Sequence, residues 1–198
     1  MENIEKVKTN WNILDKIIAK FRYMQVDRYV VENGNIVDIG CGQEGKFLLR
    51  HKRKIKNGYG FDYKIHNYKV DNIQFINNEK NEKIELLPNS IDVVFLNAVL
   101  EHLQKPKEVL SEATNVLKKS GKIVMTTPTP FSKPILECMA YKLKMINEAE
   151  IREHVHYYSK RDIEDLIEEL NKNYNLKLFK YKKFEFGLNS LIVIEKVK

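Results

Sequence analysis

The chain is predicted to be an α/β three-layer sandwich: a mostly parallel seven-stranded sheet, closed by a C-terminal antiparallel hairpin and preceded by a helical cover. Three observations carry this. Short β-branched and aromatic runs alternate with segments of helical apolar spacing between residues 35 and 127, the first run empties into a glycine-rich turn, and two late apolar runs flank Phe186-Gly187. Such alternation builds a parallel sheet covered on both faces, with ligands at the carboxyl ends of its strands.

Each element has its own signal. Over residues 9–32, Trp11, Leu14, Ile17, Ile18, Phe21, Met24 and Tyr29 recur at roughly helical spacing, and Asn33-Gly34 supplies a left-handed stop. This cover, residues 1–33, either shields one edge of the sheet or also closes over a ligand. Strands are expected at 35–39, 57–62, 72–77, 91–97 and 121–127, with helices at 45–54 and 106–119. Pro106 suits a first helical turn and Gly121 a helix end. Ser159 caps a last helix with Ile163, Leu166, Ile167 and Leu170 on one face, and strands at 175–183 and 188–196 complete the hairpin.

Between the fifth strand and the last helix, Pro128, Pro130 and Pro134 delay helix formation, after which Ile135, Leu136, Met139, Tyr141, Leu143 and Met145 predict a short apolar helix. Residues 128–158 leave the carboxyl edge of the sheet, so they either pack on the domain or form a lid over a substrate, the reading favoured here.

The turn Asp38-Ile-Gly40-Cys41-Gly42-Gln43-Glu44-Gly45, with Asp62 at the end of the next strand, is the most specific feature. Gly40 permits a tight turn, Gly42 lets backbone amides approach an anionic group, and Gly45 lets the following helix approach the sheet. Cys41 is a small side chain inside the turn. Asp62 stands where a carboxylate accepts hydrogen bonds from both hydroxyls of an adenosine ribose. The same turn serves nicotinamide cofactors, so neighbouring segments must discriminate.

Val37-Asp38-Ile39-Gly40-Cys41-Gly42 places an acid two residues before the first glycine, and this resembles the first motif of the class I, Rossmann-like S-adenosylmethionine methyltransferases. Pro88 to Leu103 is similar to the fourth strand of that family and the start of its next helix, and Val109 to Pro128 to the helix, turn and fifth strand beyond. The resemblance implies S-adenosylmethionine as cofactor, its methionine end held by the glycine-turn amides and Asp38, its ribose by Asp62, with Asn97 facing the reacting centre. Two departures stand out. Gln43 and Glu44 either lengthen the turn by one residue or put Glu44 at a usual glycine position, and Phe75-Ile76-Asn77-Asn78-Glu79 offers asparagines where an acid often contacts adenine. The adenine contacts therefore stay unassigned. An NAD(P)-dependent oxidoreductase and a non-catalytic cofactor-binding scaffold are the alternatives.

Composition bounds the rest. The 198 residues, 43% hydrophobic and 31% charged, suit one domain over 1–198. Lys and Arg number 34 against 27 Asp and Glu, a net charge of +7 that favours anionic acceptors. The densest basic run, His51 to Lys56, reads as cations at a helix C-terminus. Neither a nucleic-acid surface of interleaved aromatic and basic residues nor the Asn/Asp-Pro-Pro-Tyr/Phe motif of base-amino methyltransferases is visible, so nucleic acid is not the expected partner. Two cysteines, Cys41 and Cys138, have no metal-like or disulfide spacing. With no apolar run long enough for a leader or a span, the expected location is the cytoplasm.

For the acceptor, Glu153-His154-Val155-His156-Tyr157-Tyr158-Ser159 resembles the His-rich segment before the last helix of small-molecule members of the family. His154 and His156 are the candidate bases for an acceptor hydroxyl, on one side of the chain if it is extended. The structural alternative, hydrogen-bonded histidines, stays open. A metal is not expected, because His-x-His lacks an evident third ligand. His102 is read as packing beneath the cofactor turn. The expected acceptor is small and anionic, a sugar, lipid or quinone-like hydroxyl; the oligomeric state is open.

Overall fold

The computed structural model describes residues 13–78 and 83–197. Trp11 and Glu79 therefore lie outside the described residues. The described part of the cover starts with helix α1 (Ile13–Val26), which runs into a 3-10 turn at Asp27–Tyr29. Asn33 is left-handed (φ 54°), as expected of a stop residue, but it stands beyond the helical end, in the turn that feeds the first strand.

The parallel sheet starts with β1 (Asn35–Ile39), α2 (Lys46–His51) and β2 (Asn57–Asp62). Helix α2 is shorter than the expected 45–54. Its C-terminal residues turn to the cover: Arg50 and His51 both reach Asp27, at 2.7 and 2.9 Å. Next comes a strand that short-range patterning does not predict, β3 (Tyr68–Val70), antiparallel to β4 (Ile73–Asn77). Among the described residues the sheet therefore has eight strands, not seven. Three residues are too few for a period to register, and β3 is held by pairing and by Tyr68 stacking on Phe75 at 4.4 Å.

β5 (Ile91–Asn97), α3 (Pro106–Val116) and β6 (Leu117–Pro128) follow. Pro106 opens α3 as its position suggests. The helix ends at Val116, three residues early, and the left-handed residue is Ser120 (φ 62°), not Gly121. A Cβ on Gly121 would lie 2.9 Å from the Lys118 carbonyl, so glycine is required there for space. After β6 come a 3-10 turn (Pro130–Ser132), α4 (Lys133–Glu137), a π-helical turn (Cys138–Lys142) and α5 (Glu148–Arg152). The last helix, α6 (Lys160–Leu170), carries a full capping box between Ser159 and Asp162, worth about 1 kcal/mol. β7 (Leu176–Phe184) and β8 (Asn189–Lys196) form the expected hairpin.

The strand order is β3-β4-β2-β1-β5-β6-β8-β7, with β4, β2, β1, β5 and β6 parallel. Alternation along the central strands splits the core into two layers. Val94 and Leu96 of β5 join α3 and α6 through Leu110, Ile163 and Ile167. Val93 and Phe95 of the same strand join Val26, Phe47 and Leu48 on the other face. Burial on both faces explains why β5 reads as a nearly continuous apolar run. Each fully buried side chain of this size contributes roughly 1.5–3 kcal/mol.

Strand order reverses at β1, which pairs with β2 on one side and β5 on the other. The carboxyl ends of β1 and β5 therefore part around a crevice, the place where open α/β sheets bind ligands.

Candidate functional site

Beyond β1 the chain turns sharply because the Phe61 carbonyl accepts both the Gly40 amide (2.7 Å) and the Cys41 amide (3.1 Å). The next strand thus shapes the turn. A Cβ on Gly40 would sit 2.3 Å from Val99 Cγ2, and one on Gly45 2.1 Å from the Phe75 ring. Gly42 (φ +70°) has nothing within 4 Å of where a Cβ would be, so its backbone is open to the cleft. Gly45 (φ +54°) stands behind the turn and holds α2 close to the sheet. It does not line the cleft, whereas Gly40, Cys41 and Gly42 do.

Asp62 has both oxygens engaged. Oδ2 accepts the Gly42 amide at 2.9 Å and Oδ1 the Lys64 amide at 2.8 Å. A carboxylate oxygen has lone pairs left after one bond, and Asp62 still lines the cleft. Asn77, the last residue of β4, points elsewhere. Asn77 donates to the Ile65 carbonyl at 2.5 Å and binds Asn67 through its amide, which organises the loop before β3.

At the end of β1, Asp38 is 2% exposed. Burial pushes its carboxyl up to about 8; the Asn97 side chain opposes the shift and the Asp62 charge adds to it. Asn97 Nδ2 donates to Asp38 Oδ1 at 3.4 Å, while Asn97 Oδ1 is buried without a partner among the described residues. Burial also raises the Cys41 thiol, with Asp38 and Asp62 adding to it. Tyr23 of α1 lines the same end of the cleft, its phenol raised to about 12 by burial and by Asp38. An acid held largely protonated and an amide oxygen without a partner suit this end of the cleft to a positively charged, hydrogen-bond-donating group.

The cleft, about 1640 Å³, runs from this turn past Asn97 to Glu101, His102 and His154, between α1 and the segment after β6. The segment carrying the histidines is docked by the Glu101 carbonyl, which accepts the Val155 amide at 2.8 Å and the His156 amide at 3.3 Å. His154 lines the cleft; its Nδ1 meets the Tyr157 hydroxyl at 3.0 Å, and its ring packs edge-on to His102 at 4.8 Å. Burial lowers its pKa to about 4, with the charges of His102 and Arg22 adding to the effect. His156 turns away from its neighbour. It is exposed, lies 3.8 Å from Asp162 at the start of α6, and lines only a smaller hollow of about 400 Å³ beside Tyr141 and Tyr157. His102 lines the main cleft too, beyond the packing role read from its position.

Sequence reasoning passed over Arg22, Tyr23 and Glu101. Arg22 and Tyr23 interrupt the apolar spacing of α1, which was their signal. Glu101, 1% exposed, carries one in the form of a charge at the end of an apolar run.

A glycine turn at a switch point, braced by an acid at the end of the second strand, defines a Rossmann-like protein built for an adenosine-containing cofactor. The model of the methyltransferase domain matches residues 17–176, and the chain belongs to that family. It is an S-adenosylmethionine-dependent methyltransferase, which separates it from the nicotinamide enzymes that share the turn. No curated protein sequence matches it. Among solved structures it resembles the S-adenosylmethionine dependent methyltransferase from Mesorhizobium loti, with 12% identity, TM-score 0.64, and 90% of this chain and 98% of that one covered. The SAM dependent methyltransferase from Aquifex aeolicus is similar at 15% identity and TM-score 0.63, with 89% of each chain covered. The [4+2]-cyclase SpnF has the same fold at 9% identity and TM-score 0.66, over 92% of this chain and 82% of its own. Among the described residues no helix is long and apolar enough to cross a membrane.

Proposed function

We propose that the chain transfers a methyl group to a hydroxyl of a small anionic acceptor, of the sugar, lipid or quinone-like kind, bound between the cover and residues 128–158. The observation that carries this is the continuity of the cleft. It leads from Asp38 and the glycine turn to His154 without leaving the protein, and Leu136, Met139 and Ile146 give it an apolar wall. In this reading Asp38 and Asn97 Oδ1 hold the ammonium of the cofactor's methionine end, Gly40, Cys41 and Gly42 line its path, and Asp62 takes the ribose hydroxyls. Bound there, the cofactor supplies an electrophilic methyl carbon. The protein aligns the acceptor oxygen behind it and excludes water.

Arg22 is the cation placed for the acceptor's negative charge, since its buried Nε has no partner among the described residues. Of the two candidate histidines, His154 has the better geometry for receiving the hydroxyl proton: it lines the cleft and is held neutral. His156 is better suited to steadying the segment on α6. Residues 1–198 act as one unit, with 128–158 as the acceptor lid, in the cytoplasm.

Methyl-labelled cofactor incubated with pools of small hydroxylated anions, neutral analogues and RNA tests this. Label in the anion pool, lost in the Arg22→Ala variant, supports the reading. Label confined to RNA or to neutral amines overturns it.

A further inference from the structure

At the acceptor end of the cleft, one carboxylate oxygen of Glu101 and one ring nitrogen each of His102 and His154 lie within 4.8 Å of one another. All three residues line the cleft. Glu101 is almost completely buried, yet its Oε2 has no partner among the described residues. A buried carboxylate oxygen left without a donor is costly, and a cation relieves that cost directly.

Each histidine has one ring nitrogen already held. The Nδ1–H of His102 donates to the Glu153 carbonyl at 3.3 Å, and Nδ1 of His154 is tied to the Tyr157 hydroxyl at 3.0 Å. Neither Nε2 has a hydrogen-bond partner among the described residues. A hydrogen bond at one ring nitrogen that fixes tautomer and orientation while the other stays free is the outer-shell arrangement of metal-binding imidazoles. The Val155 and His156 amides on the Glu101 carbonyl hold the two halves together, so the cluster is clamped by backbone.

We propose that Glu101, His102 and His154 bind one divalent transition-metal ion, Zn²⁺ being the best match, with its remaining coordination positions open to the acceptor. Two imidazoles and one carboxylate are a donor set suited to Zn²⁺, and three protein ligands with an open side are the pattern of catalytic, not structural, zinc sites. This deepens the acceptor reading, on which it rests for the role of the ion but not for its binding. The acceptor class it selects has a hydroxyl next to a second oxygen, which together chelate the ion from the cleft. Coordination makes the hydroxyl acidic and its proton leaves to water. The oxygen then forms its bond to the methyl carbon as the carbon–sulfur bond breaks and sulfur keeps the electron pair. In the metal-bound protein His154 is a ligand, and the ion takes over the task of activating the hydroxyl.

The test needs neither cofactor nor acceptor. The full chain, freed of metal by chelator dialysis, is titrated with Zn²⁺ by calorimetry, and in parallel loaded with Co²⁺ to read its visible absorption. The expected result is one ion per chain, with affinity reduced more than about tenfold in His154→Ala and in Glu101→Gln and unchanged in His156→Ala. His154→Gln, closer in size, replaces the alanine variant should that one fail to fold. The absence of saturable Zn²⁺ uptake by the wild-type chain overturns the proposal. So does full affinity in a folded His154 variant, or a loss confined to His156→Ala. Tight Zn²⁺ binding in a protein that fails to label any hydroxylated anion would uphold the site and remove the acceptor reading instead.

Discussion

Oδ2 of Asp62 accepts the backbone amide of Gly42 at 2.9 Å, so the end of the second strand braces the turn that leaves the first. The acid expected to meet a ribose is also a structural member of the glycine turn. Its removal acts on both.

Asp62→Ala is accordingly expected to lower S-adenosylhomocysteine affinity by about tenfold or more, the equivalent of ~1.4 kcal/mol. It should also cost roughly 1.5–3 kcal/mol of stability, because two backbone donors lose a charged acceptor. Calorimetric titration and denaturant melts report the two separately. Lost affinity with unchanged stability would mean that the brace contributes nothing and only the ribose contact counts.

The glycines separate folding from binding. Gly45→Ala drives a Cβ into the Phe75 ring, 2.1 Å away, at a positive φ, and is expected to cost roughly 2–5 kcal/mol of stability. Gly42→Ala meets no protein atom within 4 Å. It should cost only about 1–2 kcal/mol in folding while sharply weakening cofactor binding. Equal effects of the two on melting would contradict this division.

Asp38 predicts a pH dependence. Its carboxyl is raised to about 8 in the folded protein and sits near about 3.9 in an unfolded chain. Between those values the folded state holds a proton that the unfolded state has released. The associated stability is complete at the acid end and is lost as pH climbs toward about 8, with a limiting slope of ~1.4 kcal/mol per pH unit. Asp38→Asn should flatten that slope in melts recorded across the range. Cofactor binding near neutrality should also release a proton, seen as a buffer-dependent binding enthalpy that the Asn variant lacks.

Histidine substitutions test the lid. His154→Ala should reduce methyl transfer by roughly a hundredfold or more with S-adenosylhomocysteine affinity nearly intact, as should His154→Gln. His156→Ala should have a much smaller effect, since that ring faces Asp162 outside the main cleft. Comparable losses of turnover in both folded variants would restore the pair as joint participants.

What the sequence determined by itself was everything written in local period and turn chemistry. Residues 91–97 read as a strand because both faces of β5 are buried, and Ser159 reads as a cap because its partner Asp162 is one turn away. The glycine turn and the acid of the next strand are legible for the same reason, each being a short-range backbone demand. Tertiary structure decided the rest. β3 exists only through its pairing with β4 and the stacking of Tyr68 on Phe75. His154 and His156 would share a side in an extended strand, but the Glu101 carbonyl binds the Val155 and His156 amides, and of the two rings, both of which border the smaller hollow, only His154 reaches the main cleft. That same clamp brings Glu101, His102 and His154 into one cluster. Contacts between segments far apart in the chain have no period to betray them. They arise where a backbone donor finds its acceptor, which only the folded chain specifies.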